Sequence, residues 1–156
     1  MLRYRQAEYK VGDSLRVVDV FIPEIGDRIE LPMFLMSVSA GFPSPADDYL
    51  ESKLDLNDYL VRNPSATFFV RVSGDSMIDA GIYDGDMLLV DRSLTPKDGS
   101  VVIAVINGEL TVKRLIMQRN KVALHAENKK YDPIEITPEM SFEIWGVVSN
   151  VIHSVL

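Results

Sequence analysis

The chain has no cysteine. That absence excludes disulfides, thiolate metal sites and cysteine nucleophiles together. Histidine is scarce as well, with His125 in a predicted strand and His153 near the C-terminus. Neither has a glycine-rich or acidic companion in sequence that would set it up as a general base. Two scattered histidines without cysteine make a poor ligand set, and Asp84-Gly85-Asp86 lacks the spacing of a calcium loop. No glycine-rich phosphate loop is present. Neither a metal nor a cofactor is expected. Positive charge is also in short supply: 16 Lys and Arg against 23 Asp and Glu leave a formal charge of −7. Phosphate contacts need clustered Lys and Arg, so direct sequence-specific DNA binding is not expected, although an acidic chain can act near DNA through a protein partner. No apolar run approaches the roughly 20 residues of a membrane span. The basic start, Met1-Leu2-Arg3-Tyr4-Arg5, leads into no apolar signal segment. A soluble, cytoplasmic protein is the expectation.

What remains is ordinary globular material. With 156 residues, 47% hydrophobic and 25% charged, the chain fits one compact domain with a short arm. Residues 17–22 can form a strand, but Pro23, Gly26 and Pro32 interrupt the stretch after it. Residues 31–38 are apolar and exit through small residues without a helix cap. They read as an edge strand packing on the body, or as an extended segment whose Ala40-Gly41 dipeptide can lie in a protease cleft. Ser44-Pro45-Ala46-Asp47 is a helix start, with a capping serine, proline at the first position and acidic residues on the dipole. Leu50 and Leu54 then recur at helical spacing, and Asp55 can cap a second short turn through Tyr59 and Leu60.

From Thr67 onward strands dominate. Residues 67–72, 87–90, 100–106, 109–117, 121–126, 134–136 and 142–151 are apolar or β-branched runs separated by turn residues. Short strands at such spacing point to a mixed sheet or barrel-like β domain rather than a parallel α/β fold.

Two features within that β region bear on chemistry. The first is Ser73-Gly74-Asp75-Ser76-Met77, which breaks and turns the chain at the end of a strand. A serine beside turn amides is where an attacking hydroxyl can sit next to oxyanion donors. Gly-Asp-Ser turns are common in soluble proteins, however, and the motif alone assigns no role.

The second is Lys113. Asn107-Gly108 suits a type I′ turn, which needs positive φ at both positions. A two-residue turn there pairs Ile106 with Glu109 and sets Lys113 opposite Val102. Ala104, Thr111 and Leu115 then share the lysine's face. That face is small and apolar and has nothing acidic among its hairpin neighbours. A lysine held there loses hydration without a partner, and its pKa falls from about 10.4 toward 7, a bias on the order of 4 kcal/mol. The neutral amine can take a proton from a serine hydroxyl. The alternative is plain: Arg114 follows directly, and a Lys-Arg pair in a strand is commonly a surface charge with a snorkelling stem.

Ser73-Gly74-Asp75-Ser76-Met77, then Asp84-Gly85-Asp86 entering an apolar strand, then Thr111-Val112-Lys113-Arg114-Leu115, resembles the LexA-type self-cleaving serine peptidases. Gly41-Phe42-Pro43-Ser44-Pro45-Ala46-Asp47-Asp48-Tyr49, Pro64-Ser65-Ala66-Thr67 and Ser76-Met77-Ile78-Asp79 are similar to the UmuD-type SOS mutagenesis branch rather than to LexA. The resemblance runs from about residue 31 to the C-terminus.

It implies Ser76 as nucleophile and Lys113 as general base, with the backbone amides of Asp75 and Ser76 as the oxyanion hole. It implies self-cleavage between Ala40 and Gly41, dividing the chain into a removable arm (1–40) and a catalytic and dimerisation β domain (41–156). Ala40 departs from the cysteine of the best-known UmuD proteins and agrees with the Ala-Gly bond of LexA. The fold implied is mainly β: a coiled antiparallel domain of the LexA and signal-peptidase type, with a short N-terminal helix and an extended N-terminal arm. The partners implied are a second copy in a homodimer, a RecA-type recombinase filament on single-stranded DNA that promotes cleavage, and a UmuC-type error-prone Y-family polymerase for translesion synthesis. The alternative is a LexA-like transcriptional regulator, which needs a DNA-binding element that the first 40 residues do not obviously supply. A signal-peptidase-like processing enzyme wants a membrane anchor.

Overall fold

Apolar and β-branched runs from Thr67 onward, joined by residues 16–21, build one antiparallel sheet. The structure, a computed structural model, describes residues 15–22, 30–34 and 50–156. These fall into two compact units: the described residues between 25 and 62 form one, and the other described residues form the second.

The larger unit is an eight-stranded sheet. Its strands in chain order are β1 (Arg16–Phe21), β4 (Thr67–Ser73), β5 (Met87–Asp91), β6 (Val101–Ile106), β7 (Glu109–Gln118), β8 (Lys121–His125), β9 (Ile134–Glu135) and β10 (Phe142–Ile152). Across the sheet the order is β1-β4-β5-β10-β6-β7-β8-β9, and each pairing is antiparallel. The long β10 joins the two halves, pairing with β6 through its first part and with β5 through its second. Register shifts between Ile144 and Gly146, and between Val148 and Asn150, mark irregularities on either side of its centre. Bulges of this kind bend a strand and increase its twist. The sheet curls, so that Leu15, Val17 and Val20 at one end share a core with Val112 and Leu110 of β7. A second cluster, with Val102, Ala104, Leu115 and Leu124, fills another part of the curl.

The smaller unit pairs β2 (Glu30–Phe34) with β3 (Leu50–Asp55) in a ladder of its own, followed by α1 (Leu56–Leu60). Asp55 caps α1 as expected, accepting from the main-chain N–H of Asn57 at 2.7 Å. Of the predicted strand over 31–38, residues 31–34 lie in β2, whose described pairing is with β3, and residues 35–38 lie outside the described residues. The helical reading of Leu50 and Leu54 is corrected: both lie in β3. Residues four apart share a face in a strand as well as in a helix, and ladder pairing with β2 decides between them. The helix start at Ser44-Pro45-Ala46-Asp47 and the Ala40-Gly41 dipeptide lie outside the described residues.

Candidate active site

The register expected from Asn107-Gly108 is the one observed. Asn107 has φ 50° and Gly108 φ 85°, and Val102 stands opposite Lys113, Ala104 opposite Thr111. Lys113 is therefore fixed in the middle of the sheet and only 2% exposed. Its Nζ donates to Ser76 Oγ at 3.0 Å, to Thr111 Oγ1 at 3.0 Å and to the Val112 carbonyl at 3.1 Å. The expectation of a lysine without partners is thus corrected. Its described partners are neutral oxygens, which hold the amine in place while giving no counter-charge. Burial pushes the amine down to about 8, the expected direction but a smaller displacement than one reaching 7. Of the Lys-Arg pair it is Arg114 that carries the surface-type role, bonding Glu127 Oε1 through Nε and the Gly99 carbonyl through Nη1 at 2.7 Å.

Ser76 reaches the lysine because β4 ends abruptly. Gly74, at φ 117°, turns the chain out of the strand in a conformation that side chains disfavour. Its N–H donates to Asp84 Oδ1 at 2.9 Å. The hydroxyl of Ser73, with that same N–H, holds the Asp84 carboxyl below the usual range. Beyond the serine, the Met77 carbonyl accepts from Ala80 and Ile82, closing the 3-10 turn over Ile78–Ala80. Ser76 itself is fully buried, and its Oγ also accepts the main-chain N–H of Leu15 at 3.0 Å.

The β8–β9 connection buttresses the turn from the other side. Asn128 Nδ2 donates to the Asp75 carbonyl at 2.8 Å, and the Asp79 N–H donates to the Glu127 carbonyl at 2.8 Å. The Tyr131 hydroxyl bonds Asp75 Oδ1, and Lys130 Nζ lies 3.4 Å from Oδ2. Tyr131 first and Lys130 second hold that carboxyl below its ordinary value. A trans peptide is planar, so anchoring the Asp75 carbonyl also aims the Ser76 N–H on the opposite side of the same plane. In the sequence Asn128 is one of the turn residues between the runs 121–126 and 134–136, and only its fold neighbours reveal the contact.

The histidines stand apart from this cluster in the hydrogen-bond network. His125 ends β8, half-buried. His153 does have an acidic companion, contrary to expectation: its Nδ1 lies 2.7 Å from Oδ1 of the buried Asp86. That carboxylate also takes the Tyr83 N–H at 2.8 Å, and the Tyr83 ring lies 5.1 Å from the imidazole. The pair ties the chain's end to the turn before β5. Among the described residues no group of acidic or histidine side chains is arranged to hold a metal ion, and no helix is long and apolar enough to cross a membrane.

A hydroxyl and a desolvated amine in direct contact, beside a turn with an aimed amide, can perform acyl transfer. Comparison with known proteins points the same way: residues 32–149 match the family described as Peptidase S24-like. The chain belongs to that family. Within it the chain is 50% identical over 135 residues to Protein MucA of Salmonella typhimurium, covering 85% of this chain and 92% of MucA. Protein ImpA of the same organism is 47% identical over 131 residues, covering 84% and 89%. The LexA repressor of Shewanella piezotolerans is 41% identical over 130 residues, covering 82% of this chain and 63% of the repressor. As an S24-like peptidase of the UmuD type, the protein is a self-cleaving serine peptidase of SOS mutagenesis, and its mainly β fold is the one expected of the LexA-like group.

Proposed function

We propose that Ser76 and Lys113 are the catalytic dyad of this S24-like peptidase and that they cut the chain between Ala40 and Gly41. The observation carrying the proposal is the buried 3.0 Å contact between Lys113 Nζ and Ser76 Oγ. Neutral Lys113 takes the hydroxyl proton as Ser76 Oγ attacks the Ala40 carbonyl carbon. The N–H groups of Asp75 and Ser76 receive the oxyanion. Collapse breaks the Ala40–Gly41 bond, and the lysine returns its proton to the departing Gly41 amine. A water, deprotonated by the again neutral lysine, then attacks the serine ester and releases residues 1–40 as the acid, and the lysine returns that proton to Ser76 Oγ.

The remaining domain, 41–156, acts as a homodimer. It serves as the accessory subunit of a UmuC-type Y-family translesion polymerase, in the cytoplasm, after a RecA-type filament on single-stranded DNA has promoted the cut. Identity to MucA and ImpA across most of both chains supports this assignment. Intact-mass analysis of the purified chain, with and without the filament, tests the chemistry. A fragment beginning at Gly41 is expected from the wild type and from neither Ser76→Ala nor Lys113→Ala; the same fragment at the normal rate from either variant would remove the dyad. The identity to a LexA repressor favours transcriptional regulation as the second reading. A DNA shift assay across a salt series separates the two, because operator binding carries sequence preference and a steep salt slope.

A further inference from the structure

Ser76 already has a peptide against it. Strand β1 runs antiparallel along β4, with Arg16 opposite Ser73 and Val17 opposite Val72, the last residues of β4 before the serine turn. One residue upstream, Leu15 donates its N–H to Ser76 Oγ. The Leu15 side chain is fully buried in one cluster with Met77, Val72 and Ile82. Adding a strand to a sheet edge, with alternate side chains entering pockets, is a general way to hold an extended peptide. In the order β1-β4-β5, β4 would be the edge strand if β1 came away.

The contact is unproductive. A nucleophilic oxygen must approach a carbonyl carbon from the face of the peptide plane, close to the geometry of reaction. An N–H hydrogen bond instead keeps the oxygen in the amide plane, on the side of the hydrogen. Ser76 Oγ accepts from both Leu15 and Lys113 in this arrangement, so the leucine amide engages the oxygen that must attack.

We infer that the β4 edge, the Leu15 pocket and Ser76 form a peptide-binding groove for extended chain with an apolar side chain, and that β1 is its built-in competing occupant. This inference rests on the Ser76–Lys113 peptidase reading. The segment carrying Ala40 and Gly41 gains the serine only when β1 has left β4. Cleavage then scales with the fraction of chains in which β1 is detached, as for any competent state that is populated in part. The register shift between Val17 and Asp19 interrupts the ladder two to four residues from Leu15, a place for detachment to begin.

A redox lock in the full chain tests this. Val17 and Val72 face each other across the ladder, and the protein has no cysteine of its own, so Val17→Cys with Val72→Cys forms a single defined bridge. Two readouts are followed: the fragment beginning at Gly41, and labelling of Ser76 by a fluorophosphonate probe, which needs no cleavage segment. The oxidised chain is expected to cleave and label about ten-fold more slowly than the same chain after reduction. Leu15→Asp, which puts a charge into a fully buried site, is expected to cleave several-fold faster than wild type. Equal labelling before and after reduction overturns the groove and its occupant, whether or not cleavage occurs. Labelling that follows the lock, with no Gly41 fragment in any state, supports the groove and instead overturns cleavage at Ala40–Gly41. Should Leu15→Asp unfold, the redox comparison within one polypeptide still decides.

Discussion

The side-chain amide of Asn128 holds the main-chain carbonyl of Asp75 at 2.8 Å, one residue ahead of Ser76. Asn128 is 7% exposed and touches neither Ser76 Oγ nor Lys113 through any described hydrogen bond. Under the proposed dyad its role is positioning: the bond to the Asp75 carbonyl fixes the Asp75–Ser76 peptide whose N–H is proposed to receive the oxyanion. Loss of a whole oxyanion donor costs roughly 100- to 1000-fold in rate, and loss of its alignment costs less. Asn128→Ala is expected to slow self-cleavage by about 10- to 100-fold. The pH midpoint of the reaction should stay where Lys113 sets it, which a general loosening of the dyad would not allow. Rates from intact-mass time courses at several pH values check both halves.

With Lys113 as the proposed base, its amine sets the expected pH profile. With its amine at about 8, only the neutral fraction can accept the serine proton. Self-cleavage should therefore rise about ten-fold per pH unit below that value and level off above it, with roughly one molecule in ten competent at pH 7. Lys113→Arg cannot supply a neutral base, since a guanidinium stays protonated, and should yield no fragment even at alkaline pH. A profile flat from pH 6 to 9 would remove Lys113 as the base.

The same burial costs stability, and the cost depends on pH. The folded-state value, about 8, lies below the ordinary 10.5. Between them the unfolded chain binds more protons than the folded one, so stability rises with pH through that window. Below it the penalty is present in full. The displacement corresponds to about 3 kcal/mol, partly offset by the bonds Nζ makes. Lys113→Met is expected to stabilise the fold at pH 7 by on the order of 1–2 kcal/mol, with the gain fading toward pH 10.5. Urea midpoints at the two pH values test this. A methionine variant less stable than wild type at pH 7 would mean that the hydrogen bonds outweigh the desolvation.

What was legible in the sequence is what local chemistry decides. Asn107-Gly108 sets its turn with two residues, and alternation then carries the register to Lys113 without reference to the rest of the chain. Strand runs after Thr67 announce themselves in the same way. Contacts that join distant positions were not legible: Leu15 to Ser76 spans 61 residues, Asn128 to Asp75 spans 53, and His153 to Asp86 spans 67. No periodicity reports which turn lies under which strand once a sheet has curled. The β3 misreading has another cause, because an apolar spacing of four serves helix and strand alike, and only a ladder partner settles it. The dyad needed both kinds of information. Its lysine was readable from the hairpin, whereas its contact with the serine is a product of the whole fold.

Gly146 offers a test of how tightly that fold is drawn together at the centre of β10. A Cβ built there would lie 2.5 Å from Val90 Cγ1 and 3.3 Å from Arg92 Cγ. Val90 is fully buried, so its methyl has little room to retreat, while the Arg92 stem can shift. Around this point Phe68 packs on Trp145 with ring centroids 5.1 Å apart, and the Arg92 guanidinium lies 5.2 Å from the Trp145 ring. Gly146 also adjoins the register shift on the β6 side of β10. An added methyl therefore presses β10 away from β5 at the place where one strand must satisfy two neighbours. Overpacking of this kind costs typically about 1–3 kcal/mol. Gly146→Ala is expected to lower stability by that amount, read from the denaturation midpoint, and Gly146→Val by more. Ser76 follows β4 in its exit turn and Lys113 lies in β7, and these two strands are held on either side of β10, since β4 pairs with β5 and β7 with β6. Separation of those halves should slow self-cleavage at a temperature where the alanine variant is still folded. Unchanged cleavage in a destabilised Gly146→Ala chain would show that the dyad is held by its own turn and the Asn128 buttress rather than by the β10 junction.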